Sequence, residues 1–463
     1  MKPRRTLIAA SVRLLAGVIT LGLMSSCHSR GLVCLTADCE PFALQGSLSG
    51  LVGSGLVLEN NLQGPGVGFS GPLANGTSVV FGAGFLNAPY NLTIQAQPRS
   101  PAQTCVIEDG SGPAGNTQVT NIVVTCTTNP PRFAYVANRS SNDVSAYTVD
   151  PATGVLAALA GSPFPAGNLP VAIAVDQTGH FVYVVNQMDA TLSAFNIDRD
   201  SGVLTEVSGS PFATGLSPTS VAIDPSSSFV YVANGGDGSL SAYAITAASG
   251  SLTAITGSPY AVGHSPSSVA VDAVGDYVYV TNKADGTMSA FSIQVGVGSL
   301  MATLASPFTV GDAPQGVVSD PSADFIFEVN AGSNTLLGLA GIGLGTPIET
   351  GDSPYPTGTT PYSIAMDPLG RFIYVANRGS NDISVFELDK GGLLDVLATA
   401  PFAAGTEPSS VAVEPTGKFT YVVNIGSDTV SAYAILAPSG ALSPISGSPF
   451  ATGTQPAAIA ISD

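Results

Sequence analysis

The sequence predicts an all-β fold, a seven-bladed β-propeller closed by its C-terminal strand. An asparagine that ends an apolar run recurs seven times, at spacings of 48, 48, 48, 48, 47 and 47 residues. A proline that precedes a second apolar run keeps the same period. The repeat region begins without the proline-led run and ends on a surplus copy of it, as closure of a ring requires. The columns are Asn138, Asn186, Asn234, Asn282, Asn330, Asn377 and Asn424, and Pro170, Pro218, Pro266, Pro314, Pro361, Pro408 and Pro456.

Each repeat contains four runs with the composition of short strands, which we name strands a to d in chain order from the proline. In one repeat they are Ser220–Pro225, Phe229–Asn234, Ser239–Ile245 and Ser251–Gly257, rich in Val, Ile, Tyr and Phe and bounded by turn residues. Such a small sheet must stack on its neighbours, and a period of 47 to 48 residues fits a propeller blade. The fifth repeat lacks the aromatic residue and the regular turn in its segment Thr335–Thr350, so we expect it to be the least regular blade.

The N-terminus predicts export. A basic start is followed by the apolar segment Leu14–Met24 and by two serines before Cys27, which indicates a signal peptide of residues 1–26. The ending LMSSC resembles a bacterial lipobox, and this resemblance implies that Cys27 is lipidated and anchors the protein in the bacterial cell envelope. The alternative is an ordinary cysteine after a plain signal peptide. We expect the lipid to be the only contact with a membrane.

Four further cysteines lie before the repeats. Because each pair flanks a short local segment, we expect Cys34 to pair with Cys39 and Cys105 with Cys126, although sequence alone allows three connectivities. The repeats contain no cysteine, which is consistent with a large apolar core in an oxidising compartment.

The segment before the repeats forms a separate unit without the 48-residue period. Its stretches GLVGSGLVLENN, YNLTIQAQP and TNIVVTC alternate apolar and polar residues and predict a small β-sandwich, which resembles the Ig-like modules of bacterial surface lipoproteins. The predicted organisation is a signal peptide at 1–26, an anchor and tether at 27–40, the sandwich at 41–129, a linker at 130–132 and the propeller at 133–463.

The charge balance limits the partners. The chain has 14 basic and 32 acidic residues, and Lys2, Arg4, Arg5 and Arg13 leave with the signal peptide. The mature chain then has 10 basic against 32 acidic residues, a net charge of −22, which excludes nucleic acid as a partner. We expect a monomer that meets a protein, a glycan or a small-molecule ligand at the propeller.

One face of a propeller surrounds the mouth of a central channel. We expect the loops between strands b and c and the loops before strand a to share that face, with the loops before strand a nearest the axis. The b–c loops contribute Arg139, Lys283 and Arg378, and Glu407 lies in a loop before strand a. The residues expected to project into the mouth vary among blades, as a specific site requires; they are Asn168, Leu216, His264, Asp312, Thr359, Thr406 and Thr454.

Two of these side chains are candidate general bases. His264 is the only histidine expected on that face, and Glu407 is the alternative if burial raises its pKa. A solvated loop histidine is the competing interpretation of His264. Arg139, Lys283 and Arg378, with Asp312, are the candidate ligand-binding residues.

No spacing of metal ligands and no cofactor motif is recognisable. Two further columns have structural explanations, the first as turn caps and the second as close packing near the axis. They are Asp176, Asp224, Asp272, Asp320, Asp367 and Glu414, and Ala172, Ser220, Ser268, Gly316, Ser363, Ser410 and Ala458.

The repeated YVAN or YVVN, followed by GSPF and a proline-led strand, resembles the YVTN-repeat propellers and the lactonase-like seven-bladed propeller family over residues 131–463. That family is similar to 6-phosphogluconolactonase and to muconate-cyclising enzymes. The resemblance implies a lactone hydrolase in which His264 or Glu407 activates water while Arg139, Lys283 or Arg378 holds a carboxylate or phosphate. Our main expectation is an anchored scaffold that binds a ligand or a protein, because an exported protein does not meet cytoplasmic sugar phosphates; the hydrolase is the alternative.

Overall fold

A computed structural model describes residues 41–53, 56–60, 67–69, 75–85, 90–98, 103–112, 119–341, 347–398 and 400–462. Every regular element in these ranges is a β-strand. Within them no helix is long and apolar enough to cross a membrane. The predicted signal peptide, Cys27, Cys34 and Cys39 lie outside the described residues.

The N-terminal unit consists of two four-stranded sheets, one in the order β4-β1-β8-β6 and the other in the order β3-β2-β5-β7. Within the first sheet β1 runs parallel to β8 and antiparallel to β4. The strands are β1 Pro41–Ser49, β2 Leu56–Asn60, β3 Val67–Phe69, β4 Gly76–Phe85, β5 Tyr90–Ala96, β6 Gln103–Glu108, β7 Ser111–Gly112 and β8 Val119–Thr128.

Alternating side chains of these strands form one core, because successive residues of a strand point to opposite faces. Leu44, Leu56 and Ile122 are fully buried in it. Cys105 and Cys126, directly opposite each other on β6 and β8, form a disulfide, so this expected pair is confirmed.

The remainder is the predicted seven-bladed propeller, and each blade is an antiparallel sheet in the order a-b-c-d. Strand a spans Pro456–Ser462 in blade 1 and then Pro170–Val175, Pro218–Ile223, Pro266–Val271, Pro314–Ser319, Pro361–Met366 and Pro408–Val413. Strand b spans Phe133–Asn138, Phe181–Asn186, Phe229–Asn234, Tyr277–Asn282, Phe325–Asn330, Phe372–Asn377 and Phe419–Asn424. Strand c spans Asp143–Val149, Thr191–Ile197, Ser239–Ile245, Thr287–Ile293, Thr335–Ala340, Asp382–Leu388 and Thr429–Leu436.

The sequence predicts four strands a blade, and the structure has five. A two-residue strand e follows the Ser-Pro of the GSPF motif and pairs with the start of strand c, while strand d pairs with its end. The motif serine fills the gap between them: Ser258 Oγ accepts a hydrogen bond from the Ala242 N–H, for example. Strand d spans Leu156–Ala158, Leu204–Glu206, Leu252–Ala254, Leu300–Ala302, Ile348–Glu349, Leu394–Val396 and Ala441–Pro444, and strand e spans Phe164–Pro165, Phe212–Ala213, Tyr260–Ala261, Phe308–Thr309, Tyr355–Pro356, Phe402–Ala403 and Phe450–Ala451.

A tyrosine hydroxyl in strand b ties each of five blades to the next. The hydroxyl donates to the carbonyl of a glycine in the following blade's c–d turn, at 2.8–3.1 Å. Each of these tyrosines is fully buried. The pairs are Tyr135 with Gly202, Tyr183 with Gly250, Tyr231 with Gly298, Tyr374 with Gly440 and Tyr421 with Gly154.

The ring closes through its C-terminus, as predicted. Pro456–Ser462 serves as strand a of blade 1 and pairs antiparallel with Phe133–Asn138, with Ile459 opposite Val136. The bond from Tyr421 to Gly154 crosses the same seam from blade 7 to blade 1.

Deleting residues 456–463 should therefore cost far more stability than trimming a tail, because it uncovers strand b of blade 1 and removes the buried Ile459. One large buried aliphatic side chain alone is worth about 2–5 kcal/mol. Thermal unfolding should show a clearly lower Tm. A control that replaces the same residues with a Gly-Ser segment of equal length should behave like the deletion; an unchanged Tm in either variant would contradict the closure.

The repeated asparagine joins strands within a blade. In six blades its Nδ2 donates to a serine hydroxyl of strand c, as Asn282 does to Ser289 at 3.0 Å. In blade 5 that serine is replaced by Leu337, and Asn330 donates instead to Oε1 of Glu328. Glu328 is fully buried, its Oε2 has no partner, and burial raises the pKa of its carboxyl well above the ordinary value. Blade 5 is thus irregular, as the sequence predicts.

A buried carboxyl with a raised pKa favours the neutral form in the folded state, so its contribution to stability is present below the unfolded-state pKa and is lost as the pH rises through the folded-state pKa. Because the amide cannot ionise, Glu328→Gln should therefore stabilise the protein at pH 8 and have a smaller effect near pH 4. Denaturant unfolding at the two pH values measures the difference. The double change Glu328→Val with Leu337→Ser restores the residues of the other blades, so this variant should have a larger free energy of unfolding than Glu328→Val alone. Equal free energies of unfolding would refute the idea that Glu328 replaces the strand-c serine as the acceptor of Asn330.

Candidate functional site: the central channel

The loops between strands b and c and the loops before strand a share one face, as expected. Backbone hydrogen bonds join them inside each blade, from the Lys283 N–H to the Ser265 carbonyl at 3.1 Å and from the Arg378 N–H to the Thr360 carbonyl at 2.9 Å. The residue after each repeated asparagine is therefore held next to the residue before each repeated proline.

The residue before each proline has a left-handed backbone, with φ from 48° to 57°. This region is unfavourable for residues other than glycine, and a following proline disfavours compact conformations further. The bend turns the chain from the face that carries these loops into strand a. The residues are Leu169, Ser217, Ser265, Ala313, Thr360, Glu407 and Gln455.

Strand a and the first residue of the b–c loop enclose a central cavity of about 680 Å³. One lining column comprises the residues after the prolines, which are Val171, Thr219, Ser267, Gln315, Tyr362, Ser409 and Ala457. A second column consists of residues that follow the asparagines, namely Arg139, Gln187, Gly235, Lys283, Arg378 and Ile425. Both columns vary from blade to blade, so the channel wall is chemically specific although the scaffold repeats.

Three candidate ligand-binding residues, Arg139, Lys283 and Arg378, line this channel. They belong to blades 1, 4 and 6 and so surround the axis. In the described part of the chain the lining includes no carboxylate and no imidazole. Arg139 Nε is buried without a hydrogen-bond partner. Although the protein is strongly acidic, its channel is suited to an anion.

The expectation that the loops before strand a lie nearest the axis is wrong. The residues two positions before each proline are exposed on the same face but do not line the channel, and from these loops only Ser217 and Ser265, directly before a proline, contribute to the lining. The cause is local: the backbone N–H of His264 donates to Asp285 in the b–c loop, whereas the residue after each proline lines the channel. The residues concerned are Asn168, Leu216, His264, Asp312, Thr359, Thr406 and Thr454.

His264 and Asp312, two of the predicted site residues, therefore lie outside the channel lining. The His264 side chain is 86% exposed, with Nδ1 2.9 Å from Oδ1 of Asp285. Hydrogen bonds from the His264 backbone and ring lower the pKa of Asp285. The Asp312 side chain is exposed as well, and its carbonyl accepts from the Gly332 N–H.

Glu407, the second candidate base, forms an ion pair with Arg378. Its Oε2 lies 2.7 Å from Nη2 and 3.3 Å from Nε of the guanidinium. Both residues border a shallow cavity of about 430 Å³ beside the channel, together with Thr360, Asn381 and Thr406. Arg378 lines both cavities, so it brings the only predicted carboxylate base to the edge of the channel.

The acidic column caps turns, as the sequence predicts. Asp367 Oδ1, for example, accepts from the backbone N–H groups of Arg371 and Phe372. Burial raises the pKa of Asp272 to about 6. Within the described ranges no group of His, Cys, Asp and Glu could hold a metal ion.

The small-residue column packs neighbouring strands a against one another at the bottom of the channel. Ser363 Oγ accepts from the Val411 N–H at 3.1 Å, and Ser220 Oγ accepts from the Val269 N–H at 3.2 Å. These hydroxyls join adjacent blades, which agrees with close packing near the axis.

The profile of the family described as Lactonase, 7-bladed beta-propeller matches residues 100–215, 209–318 and 346–459. The chain belongs to this family. The gap between the last two matches contains strands b and c of the irregular fifth blade. No curated protein sequence matches the chain with significance.

Solved structures share the propeller of this lactonase-family chain. A protein of Bacteroides uniformis provisionally assigned as a 6-phosphogluconolactonase is 18% identical, with a TM-score of 0.62 over 72% of this chain and 100% of its own. The periplasmic gluconolactonase of Pseudomonas aeruginosa is 19% identical, with a TM-score of 0.61 over 72% of this chain and 99% of its own. A Lactobacillus plantarum protein is 21% identical, with a TM-score of 0.60 over 72% and 100%. At these identities the likeness shows the fold alone.

Proposed function

We propose that this protein is a lactone hydrolase that opens lactones bearing a carboxylate or phosphate group. The observation on which this rests is the position of Arg378, which lines the channel and holds Glu407 at 2.7 Å. Family membership supports the reaction class, and the names of two structural neighbours, a gluconolactonase and a provisional 6-phosphogluconolactonase, support a sugar lactone.

In the proposed reaction the lactone occupies the channel, with its anionic group held by Arg139 and Lys283. Glu407 takes a proton from a water molecule as the oxygen of that water attacks the lactone carbonyl carbon. The guanidinium of Arg378 stabilises the negative charge that develops on the carbonyl oxygen. The bond between the carbonyl carbon and the ring oxygen then breaks, and the ring oxygen takes the proton from Glu407, which yields the hydroxy acid.

A binding scaffold is the second candidate function, because the channel lining, within the described residues, includes no carboxylate and no imidazole. In that case the three cations bind an anionic ligand without turnover, as a binding scaffold would. Both functions use the channel. In the hydrolase Glu407 acts as the general base, whereas in the scaffold it only forms the ion pair with Arg378.

The test is turnover of the purified chain on a panel of sugar lactones with and without an anionic group. Glu407→Gln should lower kcat by about 10²–10⁴, the contribution of one acid or base. Glu387→Gln, which changes an exposed carboxylate on strand c of blade 6, serves as the matched control. Changing Arg139 and Lys283 to alanine should chiefly raise KM for the anionic lactones. A loss of turnover in His264→Ala but not in Glu407→Gln would transfer the base's role to His264.

The scaffold would be favoured over the hydrolase by three results together. No lactone of the panel is turned over, an anionic sugar acid still binds, and this binding is lost when Arg139, Lys283 and Arg378 are changed together.

We also propose that the protein is anchored in the cell envelope, which the predicted signal peptide and the lipobox-like ending LMSSC support. Cys27→Ser should move the protein from the detergent phase to the aqueous phase in Triton X-114 partitioning and abolish labelling by a radioactive fatty acid. Cys34→Ser is the matched control and should stay in the detergent phase. Retention of Cys27→Ser in the detergent phase would contradict lipidation at this residue.

A further inference from the structure

The three cations of the channel lining, Arg139, Lys283 and Arg378, occupy the same position in their repeats but have different surroundings. In each blade the residue after the strand-a proline forms a bulge beside the repeated asparagine, and a bulge redirects a side chain. This residue occupies the same place in each repeat relative to the residue that follows the asparagine. It is Ala457 in the blade of Arg139, Ser267 in the blade of Lys283 and Tyr362 in the blade of Arg378.

Tyr362 is the one aromatic residue of this column and the one aromatic side chain in the described channel lining. Where the column carries a hydroxyl on a short side chain, the hydroxyl joins blades: Thr219 donates to the Pro266 carbonyl at 2.8 Å, and Ser267 donates to the Pro314 carbonyl at 2.7 Å. Tyr362 instead places its ring under the guanidinium of Arg378, whose Cζ is 5.4 Å from the ring centroid.

Arg378 is therefore held from two sides, by the ring of Tyr362 and by the carboxylate of Glu407. A cation–π contact at a partly exposed site and an exposed ion pair are each weak. Fixing an arginine side chain has a cost in rotamer entropy. Neither contact alone offsets this cost, whereas the two together approach it.

The remaining two cations lack this arrangement. In the blade of Arg139 the position of Tyr362 holds an alanine, and Arg139 Nε is buried without a partner. In the blade of Lys283 that position holds Ser267, whose hydroxyl is already engaged. The channel thus combines one cation with a fixed plane and two whose charges are available to a ligand.

We propose that Tyr362 is a positioning residue that fixes the guanidinium plane of Arg378 between the channel and Glu407. This inference rests on the proposed function, because it assigns the fixed cation to the developing oxyanion and the other two to the anionic group of the substrate. A fixed donor stabilises a transition state without reorganisation, whereas a displacement of about 1 Å is enough to cost about 10²-fold in rate.

The kinetic test compares Tyr362→Ala and Tyr362→Phe with the wild type, using a lactone that the wild type hydrolyses. Tyr362→Ala should lower kcat by about 10- to 100-fold and leave the Kd of the hydroxy-acid product within about threefold. Tyr362→Phe keeps the ring and should restore kcat. Failure of Tyr362→Phe to restore kcat, or an equal loss in kcat and in product affinity, would overturn the positioning role.

A second measurement works without turnover and so separates this inference from the proposed function. Phenylglyoxal modifies accessible guanidinium groups, and mass spectrometry of the digested protein gives the rate at each arginine. Tyr362→Ala should raise the rate at Arg378 several-fold and leave the rate at Arg139 unchanged, which provides an internal control. Equal rates at Arg378 in Tyr362→Ala and the wild type would refute the contact, whether or not the protein is a hydrolase.

Discussion

The hydrogen bond from a buried tyrosine to a glycine carbonyl of the next blade is the contact on which this propeller depends. The tyrosine belongs to the repeated YVxN motif, and the glycine adopts a positive φ in the c–d turn. The same glycine packs against the aromatic residue that begins strand b of the preceding blade: a Cβ on Gly298 would lie 2.3 Å from the ring of Phe229. A side chain there would separate two blades, and a missing hydroxyl would leave a buried carbonyl unsatisfied at a cost of about 1–3 kcal/mol.

This division explains why the channel is free to vary. Columns that join blades or strands recur with little change, as the asparagine, the tyrosine and the turn carboxylates do. Columns that face the axis vary more. The position of Arg139, Lys283 and Arg378 holds glutamine, glycine, alanine or isoleucine in the other blades, and the position of Tyr362 holds valine, threonine, serine, glutamine or alanine. The chemistry of the channel wall is therefore determined by few positions in each repeat, and the propeller fold tolerates different residues there.

The periodicity was enough to predict the seven blades, the closure, the turn caps and the irregular fifth blade, because each depends on local patterns repeated many times. The disulfide between Cys105 and Cys126 was predictable for a similar reason, since both cysteines lie in neighbouring strand segments. Strand e escaped detection because two residues have no alternation to recognise. The placement of His264 failed because the left-handed bend before the proline, which sets the direction of the loop, leaves no sequence signal when a serine or glutamate adopts it. Likewise Glu328, the acceptor of Asn330 in place of the serine that Leu337 replaces, is recognisable only when both strands are seen side by side.

The seam between Pro456–Ser462 and Phe133–Asn138 also sets the order in which the molecule can be made. During synthesis the first repeat emerges without its innermost strand, and the residues that complete it follow all the other blades in chain order. Until then Phe133–Asn138 presents an unpaired, apolar strand edge, a surface that pairs readily with other chains. Six blades can stack as they appear, but the ring can close only after residue 462 has left the ribosome, so the edge of blade 1 stays open while the other blades are being made.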